Sequence, residues 1–314
     1  MMLSKQAAMR DAYGEALLEL GGANRNVVVV GADTTGSLKS GVFGNKYPER
    51  FFNVGIAEQN LVSIAAGLAL AGKIAYSGTY AIFVPGKCVD QIRNNICYPD
   101  LNVKLVCSHG GISVGPDGAS HQQVEDIAIM RGIPKMKVIV PADAPSTRGI
   151  VIAIASIPGP FYVRLTRSAT PIIYEGGFEY KFGKANVLRD GGDVVVFACG
   201  IMVPEALKAA ESLKAKGISA AVVDMHTVKP IDSGTILKFA QKCGRVVTAE
   251  EHNILGGMGS AVAEVLGEGC PTRMKRVGVM DTFGESGDPG ELLKKYGLTA
   301  ASIEQAALDL VHTK

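Results

Sequence analysis

The sequence lacks the cysteine patterns that bind metals or build a disulfide framework. Its six cysteines occur singly, without a Cys-x-x-Cys pair and without metal-type spacing. Scattered cysteines in mostly apolar surroundings suit a reducing compartment, where they serve as small buried side chains. We therefore expect structural cysteines and no metal site within this chain.

Long apolar runs and blocks of charge are also missing. No apolar stretch approaches the roughly 18 residues that cross a bilayer, and the amino terminus has no apolar leader segment. No long block of Lys and Arg occurs, and the formal net charge is only +2, which argues against nucleic acid as a partner. We expect a soluble cytoplasmic protein that binds neither membranes nor nucleic acid.

Glycine, by contrast, is abundant, with 38 residues among 314. Many glycines lie at apparent turns between short apolar runs and helical patterns. The run Val27–Val30 is continuously β-branched, which is typical of a strand covered on both faces by helices. Helical periodicity at Lys5–Leu20 precedes this strand, and the alternation continues along the chain. The sequence thus predicts an α/β fold of two doubly wound domains with mostly parallel sheets.

The alternation of strands and helices lapses once, between Ser168 and Gly183. We interpret the lapse as a crossover, which predicts a first domain at residues 1–168, a linker at 169–186 and a second domain at 187–314. With 47% hydrophobic residues, a chain of this length can bury a core in each domain.

The chemistry is expected in the stretch from residue 51 to residue 83. Its pattern predicts a strand ending near Asn53, a turn, a helix at 57–71, a strand at 74–77 and a further helix. The first helix is apolar on nearly every face and should be buried, yet Glu58 lies in its first turn. Burial raises the pKa of a carboxyl group and suits it to sharing a proton, although a first-turn acid can also simply stabilise the helix dipole.

Two short motifs in this stretch resemble the pyrimidine-binding domain of the thiamine diphosphate-dependent transketolases. The first is Gly-Ile-Ala-Glu, which ends at Glu58, and the second is Thr-Tyr-Ala-Ile-Phe, which ends at Phe83. The resemblance implies that Glu58 is catalytic, because a carboxyl group on the far ring nitrogen of the cofactor promotes the imino form that activates it. It also implies that Ile56, Tyr80 and Phe83 bind the ring, with both aromatics on the further helix. Without the resemblance, these aromatics would be ordinary core residues.

The loop after the predicted strand Val103–Cys107 concentrates polar side chains where parallel sheets bind ligands. It carries His109, Asp117 and His121, and it resembles the transketolase segment His-Asp-Ser-Ile-Gly-x-Gly-Glu-Asp-Gly-Pro-Thr-His-Gln. The resemblance implies that Asp117 recognises a sugar hydroxyl. It also implies two catalytic-site histidines, with His109 toward the substrate phosphate and His121 at the reaction centre. Without the resemblance, each would be a solvated loop residue.

Three further residues match positions at which the family contacts the substrate phosphate. They are Arg10, Ser37 and Arg167, and a guanidinium fork and a hydroxyl are suitable donors to phosphate oxygens. The other interpretations are a solvated helix face for Arg10 and a surface charge at the domain crossover for Arg167. Departures from the family pattern, such as Gln59 for His and Pro116 for Glu, leave the sugar preference open.

The diphosphate half of the cofactor site has no counterpart in this sequence. The family pattern for it is Gly-Asp-Gly followed by an Asn-rich segment that holds Mg²⁺, and no Gly-Asp-Gly occurs here. The second predicted domain resembles the C-terminal domain of the same family. The resemblance therefore implies the C-terminal subunit of a split transketolase. Its N-terminal partner would supply the diphosphate and Mg²⁺ site in a two-fold heterotetramer. The expected reaction moves a two-carbon ketol unit from a ketose phosphate to an aldose phosphate, as in the pentose phosphate pathway.

Three other functions stay open at this point. The β subunit of a 2-oxo acid dehydrogenase has the same two-domain layout, and a deoxyxylulose-phosphate synthase-like reaction would use pyruvate as donor. A non-catalytic assembly subunit could keep the fold, although it would not need an acid at Glu58. The Gly-x-Asp-Gly-x-x-His-Gln form of the loop favours sugar chemistry.

Overall fold

The computed structural model describes residues 5–312, so residues 1–4 and 313–314, at the outer ends of the two predicted domains, lie outside the described residues. Within residues 5–312, two large sheets are covered by helices, and no helix is long and apolar enough to pass through a bilayer. The strands are β1 (Gln6–Ala8), β2 (Val27–Gly31), β3 (Phe51–Asn53), β4 (Ile74–Gly78), β5 (Val103–Cys107), β6 (Lys137–Ile139), β7 (Phe161–Arg164), β8 (Ala169–Pro171), β9 (Asn186–Arg189), β10 (Val194–Ala198), β11 (Ala220–Asp224), β12 (Thr227–Lys229), β13 (Arg245–Asn253) and β14 (Arg273–Val279).

Helices of very different length connect these strands. The longer ones cover the faces of the sheets, and several short ones lie in the loops that follow strands of the first sheet. The α-helices are α1 (Met9–Ala23), α2 (Thr35–Leu38), α3 (Gly41–Lys46), α4 (Glu58–Leu70), α5 (Val84–Lys87), α6 (Val89–Gln91), α7 (Asp126–Gly132), α8 (Ala144–Ile154), α9 (Met202–Ala215), α10 (Ser233–Cys243), α11 (Met258–Gly269), α12 (Pro289–Lys295) and α13 (Ala300–His312). Single 3₁₀ turns occur at Pro48–Arg50 and Ile112–Val114, and a π-helical segment at Ile92–Cys97.

The first sheet has seven strands in the order β12-β6-β7-β5-β4-β2-β3. From β6 to β3, all neighbouring strands run parallel. Successive residues of β2 are buried on opposite faces: Val28 and Val30 belong to the apolar cluster of α4, whereas Val27 and Val29 belong to that of α1 and α8. The β-branched run is therefore covered on both faces. The predicted α/β class with mostly parallel sheets is confirmed.

The second sheet has five strands in the order β14-β13-β10-β11-β9. Its neighbours are parallel except β9, which is antiparallel to β11. Val194 and Val196 of β10 lie in the apolar cluster of α9 and α13, whereas Val195 and Phe197 lie in that of α10 and α11. The apolar cluster of α10 and α11 also contains Val138 of β6, a strand of the first sheet. The two sheets therefore share a continuous part of the core.

Four strands that no sequence pattern indicates are β1, β8, β9 and β12. Each has only three or four residues and pairs antiparallel with its neighbour. The predicted helix Lys5–Leu20 therefore begins later, at Met9, because Gln6–Ala8 pairs with Ala169–Pro171 instead. β12 comes from the predicted second domain but extends the first sheet by pairing with β6. Pairings this short depend on tertiary contacts more than on local preference.

The prediction that α4 is buried on nearly every face is wrong. Leu61, Val62 and Ala65 are fully buried, whereas Gly67 is exposed and Leu70 is 76% exposed. The sheet covers only one side of the helix, so the apolar residues on its other side stay accessible. Apolar composition alone therefore overstates the burial of this helix.

The prediction that Tyr80 and Phe83 lie on a helix is also wrong. Tyr80 forms a parallel bridge with Ser108, which extends the pairing of β4 and β5 beyond Gly78. The Ala81 N–H donates to the Ser108 carbonyl at 2.7 Å, which holds Tyr80 beside the end of β5. Phe83 follows in the turn before α5. Both rings therefore lie at the end of the sheet, next to the loop after β5.

Close packing of β4 on β5 gives a first testable prediction. A Cβ added to Gly78 would lie 1.9 Å from the Val106 carbonyl oxygen, so Gly78→Ala must push two central strands apart. We expect Gly78→Ala to lower the free energy of unfolding by about 3 kcal/mol or more, as measured by urea denaturation.

Gly67→Ala is the matched control, because nothing lies within 4 Å of its added Cβ. This change in an exposed part of α4 should stabilise the chain by roughly 0.5–1 kcal/mol, since Ala favours helix over Gly. Equal stability of the two variants would contradict the close approach of β4 and β5.

Candidate active site

The carboxyl ends of neighbouring parallel strands bring the predicted site residues together. β2, β3, β4, β5 and β7 run in the same direction, so the loops that follow them leave the sheet at one edge. Arg10 joins them from the first turn of α1. The loops and short helices at this edge carry Ser37, Ile56, Glu58, Tyr80, Phe83, His109, Asp117, His121 and Arg167.

Tyr80, Phe83 and His109 form a stacked aromatic column at this edge. The Tyr80 ring is centred 3.8 Å from the His109 ring, at an interplanar angle of 22°, and 5.7 Å from the Phe83 ring, at 18°. His121 meets the column edge-on, 5.5 Å from Phe83 at 77°. Aromatic faces in this arrangement pack well against a further planar ring. The column therefore fits a heteroaromatic ligand.

His109 is a neutral residue in the middle of positive charges. It is 2% exposed, its backbone φ is +61°, and its Nδ1 lies 2.7 Å from Ser108 Oγ. Burial, together with the positive charges of Arg10 and Arg167, lowers the pKa of His109 to about 3. At physiological pH the imidazole is therefore uncharged and can donate a single N–H to a ligand.

Glu58 is the first residue of α4 and is 8% exposed, in accord with its predicted burial. Lys87 Nζ lies 3.4 Å from Glu58 Oε2 and 4.6 Å from the centre of the Phe83 ring. No sequence pattern indicated Lys87; its spacing of four residues after Phe83 is the one available signal. Ile56, two residues before Glu58, is 80% exposed and so offers apolar surface to a ligand.

Arg10 and Ser37 form a polar group on one side of the column. Arg10 Nη1 donates to the Ser37 carbonyl at 2.7 Å, and the Tyr80 hydroxyl donates to Ser37 Oγ at 3.1 Å. Among the residues from 5 to 312, no acceptor pairs with the buried Nε of Arg10. A buried donor without an acceptor is costly unless a ligand supplies one. This group therefore suits an anion.

Arg167 and Asp117 form a second polar group. Arg167 Nη1 donates to the Val114 carbonyl at 2.6 Å and lies 3.7 Å from Asp117 Oδ1. The side chains of Arg167 and Asp117 are 35% and 34% exposed, so both can reach a ligand. Because the charges of Arg10 and Arg167 both act on His109, the two polar groups lie near the same end of the column.

Potential metal ligands and thiols are dispersed over the part of the chain that the structure describes. Within the described range, 5–312, His, Cys, Asp and Glu residues form no cluster that could hold a metal ion. All six cysteines are free, and five are buried. Burial raises the pKa of Cys88, the cysteine that precedes α6, to about 12, so its thiol stays protonated.

Comparison with known proteins matches two domain families along the chain. Residues 5–172 match the pyrimidine binding domain of transketolase, and residues 183–303 match the transketolase C-terminal domain. The two sheets and the aromatic column thus define an α/β protein with a pyrimidine-binding domain as its first half.

Similar proteins agree with these domain matches. The chain is 43% identical to the 6-deoxy-6-sulfo-D-fructose transketolase subunit SqwH of a Clostridium species, over 98% of this chain and 95% of that protein. A solved structure of a split gene transketolase, described as an inactive β4 tetramer, is 48% identical with a TM-score of 0.90, over 98% of this chain and 99% of that one. The transketolase from Leishmania mexicana is 26% identical with a TM-score of 0.81, over 98% of this chain but 46% of that one.

The chain belongs to the transketolase family, and it is similar over 98% of its length to a transketolase subunit and to a chain of a split gene transketolase. The resemblance that the Gly-Ile-Ala-Glu and Thr-Tyr-Ala-Ile-Phe motifs indicate is therefore confirmed.

Burial of His109 gives a second testable prediction. In the unfolded chain its imidazole takes up a proton near pH 6.5, whereas in the folded chain the pKa is about 3. Stability should therefore be complete above pH 6.5 and should fall as the pH decreases toward 3. At pH 5 the loss is about 2 kcal/mol, and His109→Gln should remove it.

The measurement is urea denaturation of both proteins at pH 7.5 and pH 5. Burial also lowers the pKa of His226, to about 4, but this residue is present in both proteins and its contribution cancels in the comparison. The same loss of stability between the two pH values in both proteins would refute the neutral state of His109.

Proposed function

We propose that this chain is the C-terminal subunit of a split transketolase. The proposed reaction transfers a two-carbon ketol unit from a ketose phosphate to an aldose phosphate. The observation that carries the proposal is the carboxylate of Glu58, 8% exposed, at the edge that also holds the aromatic column. Burying a carboxylate is costly unless a charged or hydrogen-bonding partner offsets the cost, and beside Lys87 a ring nitrogen of a ligand could be such a partner for Glu58.

The residues around Glu58 fit the aminopyrimidine ring of thiamine diphosphate. When bound, this cofactor supplies a nucleophilic carbon that cleaves the bond beside a ketose carbonyl. Glu58 would hold a proton on the far nitrogen of the pyrimidine ring, which favours the tautomer that the reaction needs. Tyr80 and Phe83 would pack on the ring face, and the exposed side chain of Ile56 would cover it from the other side.

A second subunit is needed for the other end of the cofactor. The sequence contains no Gly-Asp-Gly for the diphosphate and Mg²⁺. Two similarities support a split enzyme: the chain spans 46% of the Leishmania mexicana transketolase, and a 48% identical chain is described as inactive when four β chains assemble alone. We infer an N-terminal partner subunit with Gly-Asp-Gly and a two-fold heterotetramer with two shared sites.

The two polar groups would bind the sugar. Arg10 and Arg167, with Ser37 and the neutral His109, would bind its terminal anion, and the free N–H at Arg10 Nε supports this role. Asp117 would accept a hydrogen bond from a sugar hydroxyl. The Clostridium relative is named for a sulfonated sugar. A phosphate is the anion proposed here, and a sulfonate is the alternative that the same cations could bind.

His121 would line the reaction centre beside the aromatic column. Its Nδ1 lies 3.0 Å from Ser120 Oγ, and its ring meets Phe83 edge-on. The imidazole is only half-buried, so one ring nitrogen can exchange a proton with a sugar hydroxyl during bond cleavage.

Replacement of Glu58 is the central test of this function. We expect the chain mixed with its Gly-Asp-Gly partner, thiamine diphosphate and Mg²⁺ to transfer ketol units, and Glu58→Gln to lower kcat at least about 100-fold, because the amide cannot hold the ring proton. The assay follows the aldose product from a panel of ketose and aldose phosphates, with pyruvate as a separate donor.

Glu49→Gln makes the same chemical change at a carboxylate that is 61% exposed, and it should leave kcat unchanged. Near-normal turnover by Glu58→Gln would refute the assignment of the acid. Full ketol transfer by the isolated chain would refute the split site, and turnover of pyruvate alone would favour the oxo-acid alternative.

The anion pocket gives a further prediction. Arg10→Gln should raise KM about 10-fold to 100-fold for a phosphorylated ketose, because a charged donor to the phosphate is lost, while KM for the unphosphorylated ketose should change little. Arg25→Gln, at an exposed surface position, is the control and should change neither value. Equal effects of Arg10→Gln on both substrates would place the anion elsewhere.

A further inference from the structure

The loop that carries three proposed site residues is held by contacts with both domains. This substrate loop (residues 109–123) begins with His109 and is closed on the first domain by two backbone hydrogen bonds. The Gly110 N–H donates to the Leu165 carbonyl at 3.1 Å, and the Gly111 N–H donates to the Gln123 carbonyl at 2.7 Å. The first domain also contacts the middle of the loop, where Ser113 Oγ lies 3.1 Å from Thr166 Oγ1 and the Val114 carbonyl accepts a hydrogen bond from Arg167. Further contacts come from side chains of the second domain.

Glu251 of β13 is the main contact from that domain. It is 3% exposed, and its Oε1 accepts a hydrogen bond from the Ser113 N–H at 2.7 Å, across 138 positions of sequence. Its Oε2 lies 4.0 Å from Arg164 Nη1. A buried carboxylate that binds a backbone N–H of a distant loop fixes that loop strongly, because either partner left alone would be unsatisfied.

Arg164 connects this contact to the first domain. Its Nε donates to Asp126 Oδ2 at 2.8 Å, and its Nη2 donates to the backbone carbonyls of Gln123 at 3.2 Å and Glu251 at 2.9 Å. Arg164 and Asp126 are 4% and 0% exposed. One buried guanidinium thus lies between two carboxylates, one from each domain, and also binds the end of the substrate loop.

Two glycines let the loop approach these charges. A Cβ on Gly111 would lie 2.1 Å from the Glu251 carboxyl carbon, and a Cβ on Gly110 would lie 2.5 Å from Arg164 Nε. Gly111 also has a φ of +89°, which favours glycine. His109 directly precedes this pair, so a shift of the loop away from Glu251 would move the imidazole in the aromatic column.

The carboxyl end of the loop has a second contact with the same domain. Gln122 Nε2 donates to the carbonyls of Ile112 at 3.1 Å and Gly115 at 3.3 Å inside the loop, and to the Glu285 carbonyl at 2.8 Å. A Cβ on Gly118, next to Asp117, would lie 2.5 Å from Ser286 Oγ. The second domain therefore borders the loop along most of its length.

We infer that Glu251 is a positioning residue for substrate binding: from the C-terminal domain it fixes Ser113 and so holds His109 and Asp117 in place. The inference rests on the proposed function. It assigns a task to a domain that contributes no side chain to the candidate active site.

The test compares Glu251→Ala with Glu251→Gln. The alanine variant loses the acceptor for Ser113, whereas glutamine keeps an oxygen there. Burial raises the pKa of Glu251, so an uncharged side chain of the same shape is suited to the position. We expect Glu251→Ala to speed amide hydrogen exchange in residues 110–123 of the isolated chain about tenfold or more, and Glu251→Gln to restore most of the protection.

In the reconstituted complex, Glu251→Ala should raise KM for the ketose phosphate about tenfold and should change the affinity for thiamine diphosphate less, because Asp117 and His109 of the loop are proposed to bind the sugar, whereas Glu58 and Phe83 lie outside the loop. Asp232→Ala is the matched control. Asp232 is a carboxylate of the same domain, 6% exposed, that accepts hydrogen bonds from the backbone of Thr235 and Ala185 and none from the loop. This variant should be less stable, but amide hydrogen exchange should not become faster in the loop specifically, and KM should not change.

Unchanged exchange in the loop of Glu251→Ala would overturn the inference, as would a KM effect equal to that of Asp232→Ala. If Glu251→Ala does not fold, Gly111→Ala disturbs the same contact from the loop side and should give the same local exchange; undisturbed exchange there would also overturn it. If the wild-type complex transfers no ketol unit, the proposed function fails, and the exchange results alone decide whether Glu251 holds the loop.

Discussion

The direction of the strands is the constraint on which the candidate active site depends. From β6 to β3 the first sheet is parallel, so every loop that follows a strand leaves at the same edge. Residues as distant in sequence as Ser37 and Arg167 therefore lie at the same edge of the sheet without any shared local motif. The close approach of Gly78 to Val106 shows how little room these central strands leave. A change that separates them would also separate Tyr80 from the loop of His109.

Electrostatics divide this edge into two unlike halves. Arg10 and Arg167 make one half positive, and burial together with these charges keeps His109 neutral beside them. The other half is apolar apart from Glu58, which faces Lys87 at 3.4 Å. This division matches an elongated ligand with an anionic group at one end, which would lie in the positive half. The other, reactive end of the ligand would meet a ring bound in the apolar half. The same division explains why stability should depend on pH at His109, where protonation would add charge to the positive half.

The two domains are joined by a buried ion cluster rather than by apolar contact alone. Arg164 lies between Asp126 of the first domain and Glu251 of the second. Such a cluster stabilises little in net terms, because desolvation offsets most of the attraction, but it tolerates few alternative arrangements. A cluster with few possible arrangements suits a loop whose backbone must keep a fixed position relative to a bound ligand. Gly110 and Gly111 pack directly on this cluster, so the cluster constrains the backbone of the substrate loop in particular.

Much of this protein follows from its sequence. The β-branched run at Val27–Val30 indicated a buried parallel strand, and the motifs around Glu58 indicated the family, because period and residue type are local properties. Short antiparallel strands such as Gln6–Ala8, the contact of Lys87 with Glu58, and the reach of Glu251 to Ser113 were decided only by the tertiary structure. Their partners are separated along the chain by 29 residues for Lys87 and by 138 for Glu251. No local pattern records such distances, since they depend on how the sheets pack.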